Sequence, residues 1–354
     1  MEDRLRRNVE DVMRVRDQQA AHGGVVFRGD LLVSSERALS LLLDRFKPLG
    51  YTPFLTRDGG QLAVRALPLA EAVAPASIRL NVVLFVLTCL STIVAGSGAF
   101  LAFDPITEPW HLLAGVPFAA TLMAILGTHE FGHYFTARHY KAVVSLPYFI
   151  PVPPPFLFGT LGAVIRMGSP ARDRNSLFDI AVAGPIAGLV VTLPALLVGL
   201  HWSTVAALPA GHYLRFGDSL LMRFLVYLQF GPIPEGSDVL VHPVAMAGWV
   251  GLFVTALNLF PVGQLDGGRI AYALFGPSHH LVGRLTFGAL LVLGAITRAP
   301  SWIVWALLLL FLIGFRHQPP LDDVTPLSGR RRILGGFCLI LLVLLIPPVP
   351  VQLG

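Results

Sequence analysis

Charge is what this chain of 354 residues has least of: Asp, Glu, Lys and Arg make up 13% of it, against 54% hydrophobic residues and a mean hydropathy of +0.69. A water-facing surface takes about 25–35% charged residues, so a soluble multidomain protein is excluded and a polytopic membrane protein is implied. Cysteine is nearly absent. Cys89 and Cys338 both sit in apolar runs, which excludes a disulfide framework and a cysteine-built metal site. Any metal must be held by His, Asp or Glu. The N-terminus, MEDRLRRNVEDVMRVRDQQ, lacks the apolar core of a signal peptide and is expected to stay in the mature protein. The net charge of +5 and the pI near 9.6 come without a clustered basic face interleaved with aromatics. A nucleic-acid partner is therefore not expected, and the positive charge is better placed to orient the chain in a lipid bilayer.

Polar sequence is confined mainly to residues 1–78. A charged helical stretch opens it, followed by VVFRGDLLV, the amphipathic SERALSLLLDRFKPLG, and YTPFLTRDGGQLAVRAL, two strands around an Asp58-Gly59-Gly60 turn. This predicts a small α+β module of β-α-β-β type, resembling part of a ferredoxin-like unit. Seven apolar segments follow, at 82–103, 112–137, 177–200, 243–260, 281–297, 301–315 and 333–347. The expected fold is an all-α polytopic membrane protein of about six to eight transmembrane helices carrying that soluble module. Its expected parts are the module at 1–78, a membrane core at 79–316, and a linker with a C-terminal transmembrane helix at 317–354. Basic residues gather at 1–80, 138–174, 269–284 and 316–332, all on one side if the N-terminus is cytoplasmic. In a prokaryote the membrane would be the inner one. His279-His280 and the Arg330–Arg332 cluster read as interfacial and topogenic, and AGPIAGL at 183–189 as small-residue helix packing.

Within the second apolar segment stands His129-Glu130-Phe131-Gly132-His133. A charge at the centre of a membrane helix costs roughly 2.5–3.5 kcal/mol on insertion scales, so ionisable groups there need a reason. Residues four apart share a helix face, which lets His129 and His133 bind one Zn²⁺ with Glu130 beside it as a general base for water. Counting from His111, His129 lies roughly 27 Å up the helix. That is near the cytoplasmic end of the span, inside the membrane and within reach of water.

A catalytic zinc usually takes three protein ligands and keeps one position open. His139, six residues past His133, is turned roughly 240° round the helix. Asp179 stands where a carboxylate favours a helix N-terminus. Asp266 lies in NLFPVGQLDGGR, where Pro261, Gly263, Gly267 and Gly268 interrupt a helix at the cytoplasmic end of the fourth segment. An aspartate on such a break can point into a cavity at the depth of His129 and His133.

HEFGH at 129–133 and the downstream set Asn258, Pro261, Leu265, Asp266 and Gly267 together resemble the site-2 protease family of intramembrane zinc metalloproteases, peptidase family M50. The intervening run LPYFIPVPPPFLFGTLGAVIRMGSPARDRNSLFDIAVAGPIAG is similar to the branch that includes chloroplast proteases of the ethylene-dependent gravitropism-deficient and yellow-green type. The resemblance, over roughly residues 80–315, implies one catalytic Zn²⁺ on His129, His133 and Asp266, with Glu130 as catalytic base and Asn258 holding substrate backbone. The implied partner is a transmembrane substrate protein. The 201–242 loop is too short for the PDZ domain that some relatives carry. Residues 158–167, FGTLGAVIRM, read as one arm of a hairpin whose edge, with Gly159, Thr160, Leu161 and Gly162, pairs with unwound substrate. A CAAX-type protease would need a downstream Glu ligand, and Glu235 lies in the outside loop. A non-catalytic metal-binding or transport protein is the alternative, although no internal repeat is seen.

Overall fold

The computed structural model describes residues 1–21, 23–69, 77–98, 104–153, 156–208 and 214–353. Residues 99–103 of the expected first span, Pro154 and Pro155 of the expected hairpin turn and 209–213 of the 201–242 loop lie outside them.

The N-terminal module starts with a short helix, α1 (Glu2–Arg7), then the antiparallel pair β1 (Met13–Ala21) and β2 (Gly24–Leu31), helix α2 (Ser35–Phe46), and the hairpin β3 (Tyr51–Asp58) and β4 (Gln61–Pro68). The strand order is β1-β2-β4-β3. The expected helical opening is thus helical only to Arg7. Beyond Met13, apolar and charged residues alternate, with Met13 buried and Arg14 exposed, a period that fits a half-buried strand. The charges that resemble a solvated helix face instead pair across the sheet, Arg16 with Asp30 and Arg28 with Asp17. Phe27, Leu39, Leu42, Phe46 and Val64 fill the core between sheet and helix.

Beyond the module the chain is mainly helical. Helix α3 is Ile78–Gly96, and α4 (Val116–His139) extends a helical turn at Pro109–Gly115. A hairpin follows, of β5 (Tyr148–Pro151) and β6 (Thr160–Val164), before α5 (Arg174–His201). Then come β7 (Thr204–Ala207), β8 (Leu214–Phe216), α6 (Leu220–Phe230) and β9 (Ser237–Leu240), with β7 paired to β9. Helices α7 (Pro243–Leu259), α8 (Asp266–Phe275), α9 (His279–Thr297), α10 (Pro300–Leu308) and α11 (Gly329–Leu345) complete the core, and β10 (Val351–Leu353) pairs with β8.

Among the described residues, four helical stretches are long and apolar enough to cross a membrane: Ile78–Gly96, Pro109–His139, Arg174–His201 and Asp266–Thr297. Leu220–Phe230, Pro243–Leu259 and Pro300–Ile313 are apolar but shorter. The chain is an integral membrane protein.

Two connections position the centre of the bundle. Asp179 on α5 accepts both Nε and Nη2 of Arg331 on α11, at 2.7 and 2.6 Å, and a hydrogen bond from the Tyr140 hydroxyl just past α4. Residues 321–323 run as a strap between module and core. Leu55 on β3 bonds Leu321 and Asp323, while Leu321 and Asp322 bond Ala171 and Arg172 ahead of α5.

Candidate metal centre

Helix α4 buries His129, Glu130 and His133, all 6% exposed or less, against α5. Such close approach needs a helix surface without side chains, and α5 supplies it. A Cβ on Gly184 would lie 2.1 Å from His133 Nε2, and one on Gly188 would lie 3.2 Å from His129 Nδ1. Gly132 answers from α4, where a Cβ would meet the Ala183 carbonyl at 2.7 Å. The small residues of AGPIAGL therefore do more than pack two helices, because they form the recesses that hold the two imidazoles.

The orientation of His133 is fixed from behind. Its Nδ1 donates to the Ile180 carbonyl at 2.6 Å, on the turn of α5 just before Pro185. That bond places the proton on Nδ1 and leaves the Nε2 lone pair facing inward, the arrangement that metal-binding histidines usually have.

Asp266 reaches the same point from the other side. After α7 the chain unwinds over residues 260–265, and Asp266 is the first residue of α8. Gly263 takes a positive φ of 53°, and a Cβ on Gly267 would fall 1.9 Å from the Leu259 carbonyl. The reversal is thus too tight for any larger residue at 267. It places Asp266 Oδ2 3.3 Å from His129 Nε2 and 3.2 Å from His133 Nε2, while the two Nε2 atoms are 3.2 Å apart.

Those separations test the fit of a metal. Tetrahedral zinc with ligands at about 2.0–2.1 Å puts neighbouring donors about 3.3–3.4 Å apart. The near-equilateral triangle of 3.2–3.3 Å matches that within about 0.2 Å, the tolerance of a genuine site. Two neutral nitrogens and one carboxylate oxygen are also the donor set zinc accepts. His129, His133 and Asp266 are positioned to bind one metal ion.

The other residues singled out in the sequence are placed as follows. Glu130 is buried next to the triangle, and the Ile165 backbone just past β6 lies against its carboxylate. Asn258 on α7 brings Nδ2 to 3.5 Å from His129 Nε2. Asp179, considered above as a ligand or a helix N-terminal carboxylate, is held instead by Arg331 and Tyr140. Residues 160–164 form the arm β6, paired on one side with β5 and, among the described residues, with no strand on the other. Gly159 packs on α3, where its carbonyl accepts from Ser91 Oγ at 2.6 Å. The Gly162 amide donates to Thr160 Oγ1, and Leu161 is exposed. Between α3 and α4 a cavity of about 470 Å³, lined by Phe85, Met123, Gly127, Thr128, Phe131 and Phe149, opens beside the motif. Sequence reasoning missed Ile180, Gly184 and Gly188 as supports of the site. Their spacing of four along one helix was the available signal.

Residues 117–285 match the model of Peptidase family M50. Among similar proteins, "Probable zinc metalloprotease EGY1, chloroplastic" of Arabidopsis thaliana is 35% identical over 247 residues, covering 67% of this chain and 43% of that protein. "Probable zinc metalloprotease EGY2, chloroplastic" of Oryza sativa subsp. indica is 28% identical over 368 residues, covering 96% and 64%. "Probable zinc metallopeptidase EGY3, chloroplastic" of Arabidopsis thaliana is 30% identical over 280 residues, covering 72% and 47%. The chain spans less than two thirds of the length of each of these relatives. No solved structure matches it.

Proposed function

We propose that the chain is an intramembrane zinc metalloprotease of peptidase family M50 that hydrolyses a peptide bond within or near a transmembrane helix of a substrate protein. The observation that carries this reading is the triangle of His129, His133 and Asp266 donor atoms, buried in membrane-spanning helices with Glu130 beside it.

A zinc ion held there supplies Lewis acidity, polarising a carbonyl and making water more acidic. Glu130 takes the proton from the attacking water and passes it to the leaving amine. Its carboxylate adjoins the triangle without being one of the three donors, as that role requires. Asn258, aligned on the same side as His129, offers an amide to the backbone of the bound substrate.

An intact helix hides its peptide bonds in its own hydrogen bonds, so a substrate must unwind before it is cut. The outer edge of β6 gives the unwound segment a partner by strand addition, with Leu161 and Val164 exposed beside it. Gly159 serves this arm as an anchor on α3 rather than by touching substrate, since its carbonyl is already taken. The cavity between α3 and α4 offers a lateral way in from the lipid. Six to eight spans, with the N-terminus and all basic segments on the cytoplasmic side, complete the proposed topology.

The test uses purified full-length protein with fluorescein-labelled casein and a panel of dye-labelled single-span peptides, with and without a zinc chelator. Cleavage that depends on zinc and is lost in Glu130→Gln supports the reading. Cleavage indifferent to both changes sinks it. If Glu130→Gln leaves zinc flux into dye-loaded proteoliposomes intact and neither form cleaves any probe, the non-catalytic transport reading replaces it.

A further inference from the structure

A second polar constellation lies away from the metal triangle, at the turn from α8 into α9. A cavity of about 740 Å³ is lined there by His279, His280, Arg284, Phe315, Arg316 and His317 among others, and no carboxylate lines it. The sequence separates these residues into two interfacial clusters nearly forty positions apart. The fold joins them because the helix after Pro300 ends in a wider turn at Leu309–Ile313 and breaks at Gly314, with φ of 69°. That break lays Phe315, Arg316 and His317 over the first turn of α9.

Two buried ring nitrogens in this place have no hydrogen-bond partner, His279 Nε2 and His317 Nδ1. His279 is 6% exposed, and its Nδ1 lies 3.1 Å from the Gly276 carbonyl. A carbonyl can only accept, so with the Nδ1 proton given to Gly276 the Nε2 atom is a buried lone pair, and the Phe315 backbone that also faces this ring has no proton to offer it. A buried polar atom left in this way is costly, and it calls for an explanation. Burial first, then Arg269 and His279, push the His317 imidazole down to about 4, so it too is uncharged near neutrality. The two arginines supply the opposite need. Arg284 and Arg316 are exposed, and the N-terminal turn of α9 adds its partial positive charge. Tyr272, which also lines the cavity, bonds the Asp323 carboxylate, and that group is taken by Arg174 as well.

We infer that this cavity binds a phosphomonoester. That group combines anionic oxygens for the two guanidinium groups with a P–OH donor for the His279 lone pair, its second pKa of about 6 leaving it partly protonated near neutrality. A phosphodiester offers the charge without the donor. A metal ion would take the lone pairs but would face the arginines. The shared chemistry has two sources, a free phosphate and the headgroup of phosphatidic acid. Leu281 and Leu285, flanking Arg284, and Phe311 and Leu312 near Arg316 are all exposed, a surface that acyl chains would cover.

The experiment follows the melting temperature of the purified full chain in neutral detergent. The probes are dioctanoyl phosphatidic acid, inorganic phosphate and dioctanoyl phosphatidylglycerol, the last a diester of equal or lower charge. Phosphatidic acid should stabilise the protein saturably, with a half-saturating concentration at least about tenfold below that of phosphatidylglycerol, the worth of one charge-assisted hydrogen bond. Arg284→Gln/Arg316→Gln, both at exposed positions, should weaken it at least about tenfold. Arg4→Gln/Arg7→Gln in the N-terminal module removes equal charge and should change nothing. His279→Leu, which leaves no acceptor, should abolish the preference for the monoester while keeping the arginine dependence. Competition by inorganic phosphate identifies the phosphate alone as sufficient, and its absence identifies the lipid as the source. No saturable response to phosphatidic acid or phosphate, equal binding of phosphatidylglycerol by wild type, or unchanged binding by the arginine pair would each overturn the inference.

Discussion

A methyl group on Gly184 should empty the metal centre. A Cβ there would lie 2.1 Å from His133 Nε2 and 2.5 Å from both Cδ2 and Cε1. The first contact is about 1.4 Å short of the ~3.5 Å at which non-bonded atoms rest. Spinning the ring does not relieve it, since Nε2 lies close to the axis of that rotation and Cδ2 and Cε1 are blocked on either side. His133 must swing away, giving up its bond to the Ile180 carbonyl, or α5 must retreat from α4. Either movement exceeds by several fold the ~0.2 Å within which metal–ligand distances must fall. Loss of a single outer-shell partner costs 10–100-fold in metal affinity, so displacement of a ligand should cost at least about 100-fold. The assay is zinc per chain by mass spectrometry after dialysis against a buffered chelator, with far-UV circular dichroism to show that the helices persist. Gly188→Ala, with its 3.2 Å contact to His129, should fall between wild type and Gly184→Ala, and Gly127→Ala, which meets nothing within 4 Å, should match wild type. Full zinc occupancy at wild-type affinity in a folded Gly184→Ala protein would refute the reasoning.

Four further outcomes are expected. Glu130→Gln should keep zinc and lose about 10²–10⁴-fold in cleavage rate, the usual worth of a general base; loss of zinc along with activity would instead make Glu130 a ligand. Asp266→Ala should lower zinc occupancy sharply, and zinc bound at full occupancy without it would remove Asp266 from the ligand set. Arg331→Ala should destabilise the fold by about 2 kcal/mol, the scale of a charge-assisted bidentate pair that is only partly shielded from solvent, seen as a lower melting temperature, and should weaken zinc retention against a buffered chelator because the pair adjoins Ile180. Proline placed in turn at residues 160–166 should abolish cleavage at positions whose amide faces the outer edge of β6, and unchanged cleavage at every position would remove strand addition.

What the sequence discloses of this site follows from rarity. In a chain so poor in charge, a buried Glu between two histidines and an Asp on a glycine-rich helix break are conspicuous because the membrane penalises each of them. Features built from common residues stay hidden. Gly184 and Gly188 are two among 35 glycines, and their purpose appears only when α4 lies against them. The strand at Met13–Ala21 is concealed by its own charges, because cross-strand ion pairs and a solvated helix face draw on the same residues.

Distance along the chain hides the rest. Asp179 is legible as a carboxylate near a helix start, yet its partner Arg331 is 152 positions away and nothing local announces the pair. The same separation matters mechanically. Arg331 fixes α11 to α5 one residue before Ile180, whose carbonyl orients His133, and the strap 321–323 joins the N-terminal module to the residues just ahead of α5. The geometry of His133 therefore rests on a helix that is held near its N-terminal end at both of these points. A zinc site assembled from one short motif and one helix break needs such a grip, since a shift of α5 by even half an ångström would move the Ile180 carbonyl and the Gly184 recess together, and His133 with them.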